Sequence, residues 1–167
     1  MKRLFLGMFL LCSCAKEVLF KKNFEYAIEL SQFEKSREKG LEWVNQSAEA
    51  GSWELVELSQ LRVIGVNLAA AKIYKVNNPD GSPCRSTTGD LFAFVLNPNT
   101  DTEIYICPAM ASKDENYVAQ ALIHESIHLI GILDECQTTA MEIEILKNAG
   151  QIPEPNGYFA SCGFEVK

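Results

Sequence analysis

Residues 124–134 have the sequence His-Glu-Ser-Ile-His-Leu-Ile-Gly-Ile-Leu-Asp, and this run contains both histidines of the 167-residue chain. Apolar residues flank the run, and no Gly or Pro occurs from Glu115 to Ile130, which predicts a helix that ends near Gly131. Two histidines four residues apart on a helix project from the same face, so their imidazoles can hold one metal ion. The sequence therefore predicts a metal site on this helix.

Glu125 follows the first of these histidines directly. A carboxylate in that position can take a proton from water, and Zn²⁺ lowers the pKa of bound water from 15.7 toward about 7. This order of His124, Glu125 and His128 is typical of zinc hydrolases. The alternative is that both histidines are ordinary helix residues, one satisfied in the core and the other solvated. Because the chain has only these two histidines, the metal site is favoured.

The first candidate for a third ligand is Asp134, six residues beyond His128. Between them, Gly131 can adopt the positive φ that ends a helix and turns the chain back. The run matches His-Glu-x-x-His-x-x-Gly-x-x-His/Asp and so resembles the zinc-binding signature of the metzincin metallopeptidases, in the version that has Asp. The resemblance implies that His124, His128 and Asp134 hold zinc and that Glu125 is the general acid/base.

The region after the motif offers a second arrangement. Metzincins place a methionine turn beneath the metal, and Met141 is the only methionine downstream of the motif. It lies in residues 138–148, a predicted helix in which a methionine is more often part of the core. In the related gluzincins, a Glu on a second, antiparallel helix completes the site. Glu142 or Glu144 is then the alternative third ligand.

The rest of the pattern predicts one α+β domain. Apolar runs at 61–66, 71–76, 91–96 and 102–107 predict strands, with a hairpin turn at 97–101. We expect a small zincin-like domain in which a mixed or antiparallel sheet packs on the metal helix, followed by a second helix. The edge strand of such a sheet binds extended peptides in zincins.

Ile104 and Tyr105 belong to the candidate edge strand. The alternative is that their strand has no role in substrate binding.

The N-terminus is typical of an export signal. Residues 1–3 are basic at two positions and residues 4–11 are apolar, which predicts a signal peptide at 1–13. The following cysteines resemble a bacterial lipobox, which implies lipid on Cys14 and a protein anchored at the cell envelope. Cleavage without lipid and a cytosolic N-terminal helix are the alternatives. We expect a tether and helix at 14–39 and the catalytic domain at 40–167.

Four cysteines remain in the exported part, and an even number favours two disulfides. Three pairings are possible. We favour Cys84 with Cys107 and Cys136 with Cys162, because each pair closes a loop of moderate length. Zinc binding by these cysteines is the competing interpretation, but the chain has no Cys-x-x-Cys pair.

Composition excludes some partners. A net charge of −7 argues against nucleic acid, and no apolar run is long enough to span a bilayer. We expect a monomeric zinc-dependent endopeptidase, or related amide hydrolase, that acts on a peptide or protein and contacts the membrane through lipid alone. Tyr158 is a candidate for stabilising the oxyanion, with packing as its alternative role. The competing hypothesis is an envelope lipoprotein that binds a partner and has a structural or inactive zinc site.

Overall fold

Five helices and six short strands form the described part of the chain. The computed structural model describes residues 25–27, 30–77, 84–86, 89–99 and 102–165. The helices are α1 (Leu30–Ala50), α2 (Leu58–Ala70), α3 (Glu115–His128), α4 (Glu135–Asn148) and α5 (Gly157–Ser161), with a 3-10 turn at Pro108–Ser112. The strands are β1 (Glu25–Ala27), β2 (Lys72–Asn77), β3 (Arg85–Ser86), β4 (Gly89–Asp90), β5 (Ala93–Phe94) and β6 (Glu103–Ile106).

The predicted signal peptide and Cys14 lie outside the described residues, as do residues 15–24, 28 and 29 of the predicted tether and helix. Within the described ranges, none of the helices combines the length and the apolar character that a bilayer crossing needs. Helix α1 runs through Gly40, where the sequence placed the start of the domain, and its Phe33 is buried in the core.

Four of the strands form one mixed sheet in the order β1-β2-β6-β5. Strand β2 pairs with β6 in parallel, whereas β1 and β5 are antiparallel to their neighbours. Strands β3 and β4 form a separate hairpin. The α+β class and the mixed sheet predicted from the sequence are therefore confirmed.

The core lies between this sheet and the helices. Ile73, Ile104 and Ile106 alternate with residues of the opposite face and join the buried cluster that contains Leu122 and Ile127 of α3. Gly40 lets α1 pack closely on α2 and α3, because a Cβ there would lie 3.2 Å from Leu68 Cδ2 and 3.4 Å from the Ala119 carbonyl oxygen. Helix α3 is thereby enclosed by the sheet on one side and by other helices on the other.

Two strand predictions are wrong. The run at 61–66 is part of α2, whose buried residues Leu61, Ile64 and Leu68 recur at helical spacing. β-Branched residues at 63, 64 and 66 produced the strand signal, but the helical period over the longer window decides the structure.

The expected edge position of Ile104 and Tyr105 is also wrong, because their strand β6 lies between β2 and β5. The edge on this side is the shorter strand β5. The antiparallel pairing of β5 with β6 is as predicted, whereas residues 100 and 101 of the predicted turn lie outside the described residues.

Candidate metal centre

Helix α3 carries both histidines on one buried face. Asp114 caps its N-terminus by accepting a hydrogen bond from the Tyr117 N–H, and the helix ends at His128. His124 and His128 are 6% and 7% exposed, and their ring centroids are 4.9 Å apart. The spacing of four residues therefore brings the two imidazoles together, as the sequence predicts.

The chain reverses direction after α3 through Gly131. Its φ is +92°, a conformation that glycine adopts without steric cost. A Cβ at this position would also collide with the side chain of Asn99. The reversal brings the first turn of α4 next to the histidines.

Glu135, the first residue of α4, supplies the third group. Its Oε2 lies 3.1 Å from His124 Nε2 and 3.3 Å from His128 Nε2. Within the described ranges, these three residues form the cluster whose ligand atoms are close enough together to hold one metal ion.

The structure gives a different role to Asp134, the first candidate for the third ligand. Asp134 is the N-cap of α4, and its side chain accepts a hydrogen bond of 2.8 Å from the Gln137 N–H. Asp134 is accordingly not among the described residues whose ligand atoms lie within 4.8 Å of one another. The Asp-x-x-Gln spacing of a capping box was the signal in the sequence that assigns Asp134 to the cap.

Glu142, the alternative ligand, contacts His124 from behind. Its side chain is completely buried, and Oε2 lies 2.7 Å from His124 Nδ1. Its other oxygen accepts a hydrogen bond from Gln120 Nε2. A carboxylate on Nδ1 fixes the orientation of the ring and leaves Nε2 for the metal.

Glu144 has a structural role on the opposite side of α4. Its carboxylate accepts hydrogen bonds from three consecutive backbone N–H groups, those of Glu54, Leu55 and Val56. Met141 is buried in the core, as the pattern of the sequence favours.

His128 is oriented in the same way as its partner. Its Nδ1 lies 2.6 Å from the Ile132 carbonyl oxygen, which can only accept, so Nδ1 is the donor. Both Nδ1 atoms thus face acceptors, and both Nε2 atoms face Glu135. This is the arrangement of metal-binding histidines, in which the second nitrogen is held by a carboxylate or a carbonyl group.

The pKa values follow from this geometry. Burial would lower the pKa of His124, but hydrogen bonds to Glu135 and Glu142 outweigh it and raise that pKa to about 10. Burial alone would raise the pKa of Glu135. The two imidazoles have the larger effect and lower this pKa to about 2. The pocket therefore favours a positive charge next to Glu135, which either protonated imidazoles or a metal cation can provide.

Glu125 lies beside the cluster and is 6% exposed. Its Oε2 is buried and has no hydrogen-bond partner among the described residues. Burial raises the pKa of this carboxyl group, and the nearby histidines oppose the increase. A buried carboxylate oxygen without a partner is costly, so its position requires an explanation such as a ligand, an ion or a catalytic role.

The cluster lies in a cleft of about 610 Å³. Residues 91–95 form one wall and α3 forms the floor, and the remaining lining residues are Pro98, Leu133, Glu135, Asn156 and three residues of α5. The Tyr158 ring of α5 stacks on His124 with the centroids 5.7 Å apart and the planes 8° from parallel. The predicted oxyanion candidate is therefore at the site.

Both predicted disulfides are present. Cys84 pairs with Cys107, and Cys136 pairs with Cys162. The second joins the first turn of α4 to the end of α5, so it links the segment of Glu135 to the segment that carries Tyr158.

Two imidazoles and one carboxylate that meet at one point fit a divalent metal ion. The sequence predicted the histidines and Glu125 at this place but not Glu135. Comparison of the chain with protein-family models, with curated proteins and with solved structures gives no significant match. The function therefore has to be inferred from the site itself.

Proposed function

We propose that this chain is a zinc-dependent peptidase in which His124, His128 and Glu135 hold the metal. The observation that carries the proposal is the position of Glu125, whose buried carboxylate oxygen has no partner among the described residues and lies beside the metal cluster. Two histidines, a carboxylate and an open position are the ligand set of zinc peptidases. The same donors also hold iron in oxygenases, but those enzymes do not need a general base next to the metal.

When bound there, zinc supplies a Lewis acid that polarises a carbonyl group and lowers the pKa of water. Glu125 accepts a proton from the attacking water and returns it to the leaving nitrogen. Burial raises the pKa of Glu125, which makes it a stronger base than an exposed carboxylate. The two adjacent steps of proton transfer thus use the same side chain.

Tyr158 is the residue that we propose for stabilising the oxyanion. Burial, together with the charges of Glu135 and Glu125, raises its pKa to about 12. Its hydroxyl therefore keeps its proton at neutral pH and can donate a hydrogen bond to a developing negative charge. Stacking on His124 also gives the ring a packing role.

The cleft favours internal peptide bonds. No Lys or Arg is among the described residues that line it, although the Nζ of Lys113 lies over the rings of Phe92 and Tyr117, which do. Strand β5 is the edge of the sheet and forms one wall, where an extended peptide can add as a further strand. We therefore propose an endopeptidase.

Two disulfides support export, because disulfides persist in oxidising compartments. We propose that the lipobox-like N-terminus directs the chain to the bacterial envelope with lipid on Cys14. Mass spectrometry of the mature N-terminus tests this directly. A mature chain that starts at another residue, or that lacks acyl groups, would contradict it.

The test of the activity compares zinc-loaded wild type with Glu125→Gln on a pool of peptides. We expect cleavage by the wild type and a loss of at least about 100-fold in the variant, as for removal of a general base. The matched control is Glu49→Gln, an exposed position that does not line the cleft. No cleavage by zinc-loaded wild type, or equal cleavage by Glu125→Gln, would favour the alternative of a partner-binding protein with an inactive zinc site.

A further inference from the structure

Three aromatic rings form a row across the sheet on the face opposite α3. Tyr105 of β6 lies opposite Tyr74 of β2 on one side and opposite Phe94 of β5 on the other. The ring centroids are 5.6 Å and 5.2 Å apart, and the planes differ by 23° and 10°. The row therefore consists of two stacked pairs, and it ends at Phe94 on the edge strand.

The edge of β5 opposite β6 lies along the cleft at Ala93, whereas two residues earlier the Leu91 N–H already donates to the Cys84 carbonyl oxygen. The Cys107 N–H donates to the Phe92 carbonyl oxygen, and Phe94 is opposite Tyr105, so the polar groups of residues 92 and 94 face β6. Those of Ala93 consequently point away from β6. Residues 91–95 all line the cleft, although Phe92, Ala93 and Val95 pack toward the α3 cluster and Leu91 and Phe94 pack on the opposite face, which indicates that this segment faces the cleft with its edge.

A peptide that binds to Ala93 in extended conformation would become the next strand of the sheet. Lateral neighbours in a sheet have their side chains on the same face, whatever the direction of the strands. The peptide residue beside Phe94 would thus continue the row of rings, whereas the residue beside Ala93 would point toward α3 and the metal ligands.

We propose that this cleft selects peptides with an aromatic or large apolar side chain at the position beside Phe94. The proposal rests on the proposed function and adds the substrate class to it. The side chain in that position would stack on Phe94 as Phe94 stacks on Tyr105.

The charges of the cleft agree with this selection. Glu125 and Glu135 are the charged carboxylates among the residues that line it, and no lining residue is a Lys or Arg. When zinc is bound, its two positive charges offset these two carboxylates, so the cleft does not strongly favour a peptide side chain of either sign. An apolar side chain on the face of the added strand away from α3 needs no charged partner.

The experiment uses capped hexapeptides of Ala, Ser and Gly with a single Phe placed at each position in turn. Binding is measured with zinc-loaded Glu125→Gln, and cleavage with zinc-loaded wild type. We expect one Phe position, fixed relative to the cleaved bond, to bind about two- to tenfold more tightly than Ala there, the range measured for aromatic pairs. Equal binding at every position would overturn the proposal.

Three variants locate the preference. Phe94→Leu keeps an apolar side chain in the packed row but removes the ring. Peptides with Phe at the preferred position should then bind no more tightly than peptides with Leu there. Phe94→Tyr should retain the preference for Phe. Val66→Ala, at an exposed apolar residue of α2 that does not line the cleft, should leave it unchanged. Circular dichroism and zinc content verify that each variant is folded, and a preference that survives in Phe94→Leu would contradict the row as its cause.

The outcomes separate this proposal from the proposed function. Cleavage by wild type without positional preference would keep the peptidase and reject the row of rings as a selector. Binding by Glu125→Gln that depends on the position of Phe, without cleavage by wild type, would keep the row of rings as a selector and reject the peptidase.

Discussion

The two adjacent carboxylates at the start of α4 have different surroundings. Asp134 accepts the Gln137 N–H as a helix cap, and Glu135 faces both Nε2 atoms. Their order follows from helix geometry, because the N-cap side chain folds over the first turn whereas the next residue points outward from it. One residue of displacement thus separates a stabilising role from a ligand role.

Substitution of the two carboxylates should affect different properties, zinc affinity for Glu135 and stability of the fold for Asp134. We expect Glu135→Ala to lower zinc affinity by more than about 100-fold. Removing a residue that only hydrogen-bonds to a ligand costs about 10- to 100-fold, and removing a ligand should cost more. Asp134→Ala should lower the free energy of unfolding by about 1 kcal/mol through the lost cap and change zinc affinity little. Competition with a zinc chelator and urea unfolding measure the two effects. A larger loss of affinity in Asp134→Ala than in Glu135→Ala would restore the ligand set of the metzincin signature.

Protonation of His124 should compete with the metal. Its pKa is raised to about 10, so the metal-free fold gains stability from the protonated ring below pH 6.5 and loses it as the pH rises toward 10. Zinc requires the neutral ring, so binding at pH 7 should release about one proton from this residue. Titration calorimetry in buffers with different ionisation enthalpies counts the protons.

The control for the proton count is Glu142→Gln. This change removes one of the three carboxylates that raise the pKa of His124, the others being Glu135 and Glu125, so fewer protons should be released at pH 7. Zinc uptake by wild type without proton release would show that the ring is already neutral in the metal-free protein.

At the scale of elements, local spacing predicted what lies along one helix. The four-residue spacing of the histidines, the stop at Gly131 and the helix after it all follow from periodicity and backbone preference within a few residues. The run at 61–66 was misassigned because its β-branched residues outweighed a helical period that is visible only over residues 58–70. Short windows favour intrinsic preference, and longer ones show which residues are buried.

The third ligand and the edge strand depend on contacts that local patterns do not contain. Glu135 reaches the imidazoles only because Gly131 reverses the chain and Asp134 starts the next helix. Strand β6 is interior because β5, only two residues long, pairs along its other side. Both facts concern how elements are placed, whereas the sequence pattern describes each element separately.

Glu144 connects two elements that are far apart in the chain. Its carboxylate accepts hydrogen bonds from the backbone N–H groups of residues 54–56 just before α2. A hydrogen bond to a charged group contributes about 1.5 to 3 kcal/mol, and water replaces part of this where the groups are exposed. We expect Glu144→Ala to lower the free energy of unfolding by about 2 kcal/mol and to leave zinc affinity unchanged. Urea unfolding of the metal-free protein tests this, with Glu144→Gln as an intermediate case. An unchanged midpoint in Glu144→Ala would show that water replaces these bonds without cost.

At the scale of the whole molecule, the two disulfides hold opposite walls of the cleft. Cys84–Cys107 joins the hairpin of β3 and β4 to the end of β6, and the Leu91 N–H donates to the Cys84 carbonyl oxygen beside β5. Cys136–Cys162 joins α4 to the end of α5. The first therefore supports the wall that would receive a peptide, and the second supports Tyr158 and Glu135, the third group of the candidate metal site.

Replacing each pair by serines should give equal losses of stability and different losses of function. The bonds join residues 23 and 26 positions apart, so the chain-entropy model gives about 3.5 kcal/mol for each. Without Cys136–Cys162, the first turn of α4 and α5 are no longer joined, so we expect weaker zinc binding and a lower kcat. Without Cys84–Cys107, zinc affinity should be kept and KM for peptides should rise, because the edge of β5 is less well ordered. Urea unfolding, chelator competition and steady-state kinetics on both double variants distinguish these effects, and an equal loss of zinc affinity in the two would mean that the walls of the cleft are not supported independently.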